Sequence, residues 1–226
     1  MNKIAIITAL SGMSNARIQD PTLGKFPEVD YYAFVDRVHE THIWQQIPIW
    51  KFSNETEFSD RRNAKLPKIL GWLLSPGYDY YIWHDHYSEV QMHPEQILDT
   101  YLKDKDMALF KHPHRNCSYQ EARVVGELSL DKATTVVQTT EFLTNRNWPQ
   151  ENGLFELTSF VYRNTYKIQT ATLAWWDLLC KYSSRDQILF PWIVAQYDIS
   201  YNYLPGSALG YGGNNTLIPQ VRGKFD

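Results

Sequence analysis

The sequence predicts an α/β domain with a mostly parallel sheet covered by helices, and three observations carry that expectation. Short apolar, β-rich runs alternate with helical segments through the first half of the chain. The first run, residues 3–10, lacks strict polar alternation, the pattern of a strand covered on both faces. No internal repeat or linker-like stretch divides the 226 residues, so one domain is expected over 1–226. A chain of this length buries roughly 70–75% of its unfolded surface and needs no staples.

The elements follow in order. Residues 11–25 are polar and contain Gly12 and Gly24, a loop. Residues 31–35 form a second strand ending at Asp36, and 44–50 a third, weakened by Pro48. Residues 59–74 read as a helix capped by Ser59 or Asp60, bent or interrupted at Pro67. Pro76-Gly77 turns the chain into a strongly β run, 78–83, that ends in His84-Asp85-His86. Pro94 opens a short helix to about Lys103. Strand 107–111 ends in His112-Pro113-His114-Arg115. Ser118 and Glu121 match a capping box that opens the next helix. A strand is expected over 155–162 and a helix over 173–182. Ser184 and Gln187 match a second capping box, whose helix Pro191 is placed to kink. The glycine-rich stretch 205–215 reads as a mobile loop.

Composition narrows the function classes. The net charge is −3 with no long run of one sign, which argues against electrostatic capture of nucleic acid. Cys117 and Cys180 have no CxxC spacing, so a zinc ribbon or thioredoxin-type motif is excluded. Aromatic residues make up 15% of the chain, and their flat faces suit sugar or base stacking as well as a core. The apolar run at the N-terminus is too short for a signal peptide, no stretch approaches a membrane span, and the cytoplasm is the expected location. The glycosylation acceptor patterns at Asn54, Asn116 and Asn214 are then read as chance.

The residues with chemistry cluster at strand ends, the edge where open α/β sheets bind ligands. Asp85 ends an apolar strand, where a carboxylate can hold Mg²⁺ or Mn²⁺ beside a diphosphate; an aspartate ending a strand at a turn is the bland alternative. His84, His86, His112 and His114 form two HxH pairs, which suit a transition metal or simply hydrogen-bond in a polar cleft. Lys111 and Arg115 add positive charge at the same edge, suitable for the phosphates of a nucleotide. Arg61, Lys65 and Lys68 recur at helical spacing and share a cationic face, fit for a diphosphate or for solvent. Asp186 and Gln187 stand at a helix start, where backbone N–H groups are free.

In order and spacing these segments resemble a glycosyltransferase-like family. They are Arg61-Arg62-Asn63-Ala64-Lys65, Tyr78 to Trp83 with Asp85, His112 to Ala122, Gly153-Leu154, Trp175-Trp176 and Arg185-Asp186-Gln187. The family includes plant proteins linked to cell-wall mucilage and many bacterial proteins, and the likeness runs from about Asp60 to Trp192. The resemblance implies a GT-A-like, Rossmann-like mixed sheet flanked by helices and a nucleotide-diphosphate sugar donor. It implies a metal carboxylate at Asp85, diphosphate contacts from Arg61, Lys65 and Lys68, and a sugar-side, catalytic role for Asp186 and Gln187. The chain departs from the pattern of GT-A enzymes at three places. Tyr87 stands where a second carboxylate is usual, Ile188 follows the Asp-Gln pair, and no histidine occurs after His114.

The expected function is therefore transfer of a sugar from a nucleotide-sugar donor to a saccharide or glycan acceptor, with a divalent metal, Mn²⁺ or Mg²⁺, as the candidate cofactor. Two other classes stay open. One is a metal-dependent hydrolase using His84, Asp85, His86, His112 and His114, with a metal-bound water as nucleophile. The other is a carbohydrate-binding relative without turnover. A nucleotidylyltransferase is disfavoured by the absence of a Gly-rich phosphate loop after the first strand.

Overall fold

The structure is a computed structural model describing residues 2–49, 51, 59–207 and 217–221. Three parallel strands begin it: β1 (Ile4–Leu10), β2 (Val29–Val35) and β3 (Gln45–Pro48). Helix α1 (Ser59–Leu74) crosses to β4 (Tyr80–His84), and α2 (Pro94–Ile97), continued by one π-helical turn over Leu98–Leu102, leads to β5 (Met107–Lys111). Helices α3 (Ser118–Glu127) and α4 (Ala133–Thr144) precede the long strand β6 (Phe155–Arg163). Helices α5 (Tyr166–Lys181) and α6 (Asp186–Gln196) and strand β7 (Tyr201–Leu204) complete the described elements.

Among the described residues seven strands form one sheet in the order β3-β2-β1-β4-β6-β5-β7. Every neighbouring pair is parallel except the two pairs made by β6. This is the mostly parallel mixed sheet with flanking helices that the sequence led us to expect. The antiparallel β6 matters for the site. It brings the start of that strand, rather than its end, to the edge where the parallel strands finish.

Side chains alternate between two apolar layers, as the period of a strand requires. Ala5, Ile7, Ala9, Tyr81 and Trp83 face the helical layer of α1, α5 and α6. Ile4, Ile6, Tyr31 and Ile82 face the opposite layer, where Ile97, Leu98 and Leu102 pack. All seven residues of β1 are buried, which explains its unbroken apolar sequence. Pro48 is tolerated because β3 lies at the sheet edge.

Helix α1 contains Pro67 and departs from helical geometry at Leu70 (φ −112°, ψ 31°). Gly71 follows at the crossing with β1, where a Cβ would stand 2.5 Å from Ile7 Cδ1. Glycine is needed there for close approach rather than for a turn.

Several expectations change. Neither capping box forms. The N-cap of α3 is Cys117 without a side-chain cap, and Glu121 is buried against Arg115. The N-cap of α6 is Arg185, while Ser184 Oγ bonds Asp131 and Gln187 Nε2 bonds the carbonyl of Phe155. In both places tertiary polar partners win over local capping. Helix α5 starts at Tyr166 rather than Leu173, capped by Thr165 Oγ1, which accepts from the Ile168 N–H at 3.3 Å. Helix α4 and strand β7 had no counterpart in the sequence reading. The expected loop 205–215 falls mostly outside the described residues, as do the acceptor patterns at Asn54 and Asn214. Both cysteines are unpaired thiols. No described helix is long and apolar enough to cross a membrane.

Candidate functional site

A cavity of about 780 Å³ opens at the carboxyl edge of the sheet. The ends of β1 and β4, the segment after β5 and the start of β6 form its strand side. Residues of α1 and the first turn of α6 close the helical side. Asp85 and His112, placed at strand ends by the sequence, share this cavity.

The floor is a cluster of four charged side chains. Residues 61, 65 and 68 do share one face of α1, but that face turns into the protein. Lys68 Nζ lies 2.6 Å from Asp186 Oδ2, and Lys65 Nζ lies 2.8 Å from the same oxygen. Lys68 Nζ is also 3.9 Å from Asp85 Oδ1 and sits over the Trp83 ring, 5.7 Å from its centroid. Burial alone pushes the Asp186 carboxyl up, but the two ammonium groups overrule it and hold it well below the usual carboxylate range. The Lys68 ammonium is disfavoured by burial, yet Asp186 and Asp85 hold its pKa above the ordinary value. Lys65 fares differently: burial and the charge of Lys68 outweigh Asp186 and bring it down to about 8.

The first turn of α6 is fixed from outside the cavity. Asp131 Oδ2 accepts from Ser183 Oγ at 2.8 Å, from Ser184 N–H at 2.7 Å and from Ser184 Oγ at 2.9 Å. The Trp175 indole donates to the Asp186 carbonyl at 3.2 Å, and Gln187 Nε2 donates to the Phe155 carbonyl at 3.0 Å. Asp186 is therefore held by backbone and side-chain contacts from three directions, so its carboxylate is presented in a set position.

Asp85 follows the last residue of β4 and reaches the same side of the sheet as Trp83 and Lys68. Its Oδ1 accepts from the Trp83 indole at 3.1 Å and its Oδ2 from the Tyr87 hydroxyl at 3.1 Å. Burial opposes its charge, but Lys68 and Lys65 keep it ionised. These donors do not suit a divalent cation. Both oxygens already receive hydrogen bonds, an ammonium group stands beside them, and Tyr87 donates where a second carboxylate was sought.

The histidines do not supply the missing ligands. His84 points to the opposite face of the sheet, against Trp44, with its Nδ1 3.0 Å from the Asp85 carbonyl. His86 borders the cavity beside Tyr87. His114 is exposed and lies outside the cavity lining. Among the described residues no three His, Cys, Asp or Glu side chains form a group that could hold a metal ion. The five-residue metal set expected from the sequence is thus not assembled: alternation turns His84 away from Asp85, and His114 is exposed in the segment after β5.

His112 plays a structural part in shaping the rim. Its Nδ1 accepts the backbone N–H of His114 at 3.2 Å and of Arg115 at 3.0 Å. Nε2 faces Arg115 Nη2 at 3.2 Å and Glu121 Oε2 at 3.9 Å. Burial first, then the charges of Arg115 and His114, bring His112 down to about 4.

Of the basic candidates, Arg61, Lys65, Lys68 and Arg115 line the cavity, and Lys111 is exposed outside it. Arg61 is engaged by the Leu130 carbonyl and by Ser184 Oγ, and Arg115 Nε by Glu121 Oε2 at 2.7 Å. Sequence reasoning missed three contributors. Glu156 lines the cavity from β6 and accepts from Ser207 Oγ at 2.8 Å; its signal was a carboxylate and Thr158 at alternate positions near the start of a largely apolar strand. Tyr87 was noted only as an absent carboxylate. Asp131 had no local signal at all.

A family model described as TOD1/MUCI70, glycosyltransferase-like domain, matches residues 28–203. "Probable hexosyltransferase MUCI70" of Arabidopsis thaliana is 27% identical over 193 residues, covering 74% of this chain and 33% of that protein. The chain thus spans about a third of the length of that curated relative. Among solved structures, mouse xyloside xylosyltransferase 1 aligns with a TM-score of 0.49 at 8% identity, over 90% of this chain and 85% of the other. The mannosyltransferase Ktr4p of S. cerevisiae aligns with a TM-score of 0.49 at 11% identity, over 97% of this chain and 76% of the other. With most of its length matched by the family model, the chain belongs to the TOD1/MUCI70 glycosyltransferase-like domain family.

Proposed function

We propose that this chain transfers a glycosyl group from a nucleotide-diphosphate sugar to a saccharide or glycan acceptor in the cavity at the carboxyl edge of the sheet. The observation that carries the reading is the Lys65–Asp186–Lys68 cluster on the cavity floor. It offers ammonium donors for an anionic leaving group. Beside them it offers an ionised carboxylate that accepts hydrogen bonds from sugar hydroxyls. Asp186 acts as an acceptor toward the sugar. Two ammonium groups make it too weak a base to take a proton near neutral pH.

Family membership supports glycosyl transfer as the reaction class. His84 on the opposite face and the exposed His114 take two of the five ligands of the hydrolase alternative away from the cavity, which favours the transferase reading.

The test is release of nucleoside diphosphate from a panel of nucleotide sugars, with wild type and Asp186→Asn compared. Turnover of one donor by wild type, lowered at least about a hundredfold in the variant, is the expected result. Equal release by both proteins would remove Asp186 from the chemistry, and no release from any donor would reject the reading.

A further inference from the structure

We infer that the cavity takes the diphosphate of its donor directly on the Lys65–Lys68 ammonium pair, without a divalent cation between protein and phosphate. The inference rests on the proposed nucleotide-sugar reading and concerns how the same site meets the charge of its ligand.

The cluster geometry carries the argument. Two ammonium groups, 2.8 and 2.6 Å from one carboxylate oxygen, share a single close counter-ion. The other carboxylate, Asp85, is 3.9 Å from Lys68 and is itself bound by Trp83 and Tyr87. Lys65 and Lys68 are balanced by Asp186 and Asp85, but Lys65 shares its close carboxylate oxygen with the more tightly held Lys68, so an arriving phosphate oxygen gives Lys65 a partner of its own. Lys65 is the member that would meet it: its side chain is 17% exposed, against 1% for Lys68. Its depressed pKa has the same cause, burial together with the neighbouring Lys68 charge. An arriving phosphate oxygen relieves that repulsion.

A divalent cation has the opposite relation to the cluster. It would need the oxygens of Asp85, which already accept two hydrogen bonds, and would sit against the Lys68 ammonium. Mg²⁺ demands near-octahedral oxygen coordination and sheds its waters reluctantly, so a carboxylate already engaged and set beside an ammonium group is a poor anchor. Charge that a metal supplies in other phosphate sites is here built into α1 as two lysines one turn apart.

The test is calorimetric binding of uridine, guanosine, adenosine and cytidine diphosphates to the whole chain, first after EDTA treatment and then with Mn²⁺ or Mg²⁺ added. At least one nucleotide should bind the EDTA-treated protein, with added cation changing Kd by no more than about twofold. Lys65→Met leaves Lys68 and Asp186 as a one-to-one pair, so the fold is retained; it should weaken that binding about tenfold or more. Lys65→Arg should recover most of the loss relative to Met. Binding that appears only when cation is added, or that Lys65→Met leaves unchanged, overturns the inference while leaving the nucleotide-sugar reading intact. Failure of every nucleotide under every condition overturns both.

Discussion

Lys68 Nζ and Asp186 Oδ2 are 2.6 Å apart, and neither side chain is more than 4% exposed. The contact joins the middle of α1 to the first residue of α6 and lies under the cavity. Asp186→Asn keeps the shape and removes the charge, leaving two ammonium groups around a neutral amide. Breaking a buried ion pair from one side costs about 3–5 kcal/mol. Urea unfolding of this variant should show a loss of about 3 kcal/mol or more with an unchanged m-value. A loss below about 1 kcal/mol would mean that the lysines find other partners.

A pH effect follows from His112. The unfolded imidazole takes up its proton near 6.5, whereas the folded one resists protonation until about 4. Between those values the unfolded chain binds more protons, so stability falls as the pH is lowered from 6.5 toward 4. The full loss from this group is about 3 kcal/mol. His112→Asn preserves an acceptor for the two backbone N–H groups and removes the titration. Denaturation midpoints measured across this window should decline less steeply for the variant. Parallel curves would show that other groups set the acid sensitivity.

Much of this was legible in the sequence, for reasons that differ residue by residue. Asp85, His112, Lys65, Lys68 and Asp186 line one cavity because strand ends and helix starts of an α/β sheet meet at one edge. The direction of each side chain was not legible. His84 and Asp85 are neighbours in sequence, but alternation sends one toward Trp44 and the other toward Lys68. Helix α4 escaped notice because Ala-Thr-Thr-Val-Val-Gln-Thr-Thr is rich in β-branched residues, which favour strands. Its helix is instead held by the burial of Val136, Phe142 and Leu143. Asp131 holds Ser183 and Ser184 across more than 50 residues of sequence, a contact that no local pattern reports.

The crossing of α1 over β1 predicts a packing effect. Gly71→Ala places a methyl group 2.5 Å from Ile7 Cδ1 in a fully buried layer. Overpacking of this kind costs about 1–3 kcal/mol. Ile7→Val, which removes the clashing methyl, should recover part of that cost when combined with Gly71→Ala. Two purely additive losses would place the strain elsewhere.

The start of α6 offers the sharpest contrast between local and tertiary logic. A capping box would bond Ser184 Oγ to the Gln187 N–H and the Gln187 side chain back to the Ser184 N–H. The structure satisfies these groups differently. Ser184 N–H and Oγ both donate to Asp131, at 2.7 and 2.9 Å, and Gln187 Nε2 donates to the Phe155 carbonyl at 3.0 Å. Ser184→Ala loses a hydrogen bond to a carboxylate, about 1.5–3 kcal/mol, and Gln187→Ala loses a neutral one, about 0.5–1.5 kcal/mol. The two bonds share no partner, so the double variant should equal the sum of the single ones within about 0.5 kcal/mol. A reciprocal box would instead give a coupling of roughly 0.5–3 kcal/mol. Measuring all four proteins by urea unfolding separates the cases. Additivity means that α6 is anchored by Asp131 on one side and by β6 on the other, so two independent contacts set the position of Asp186.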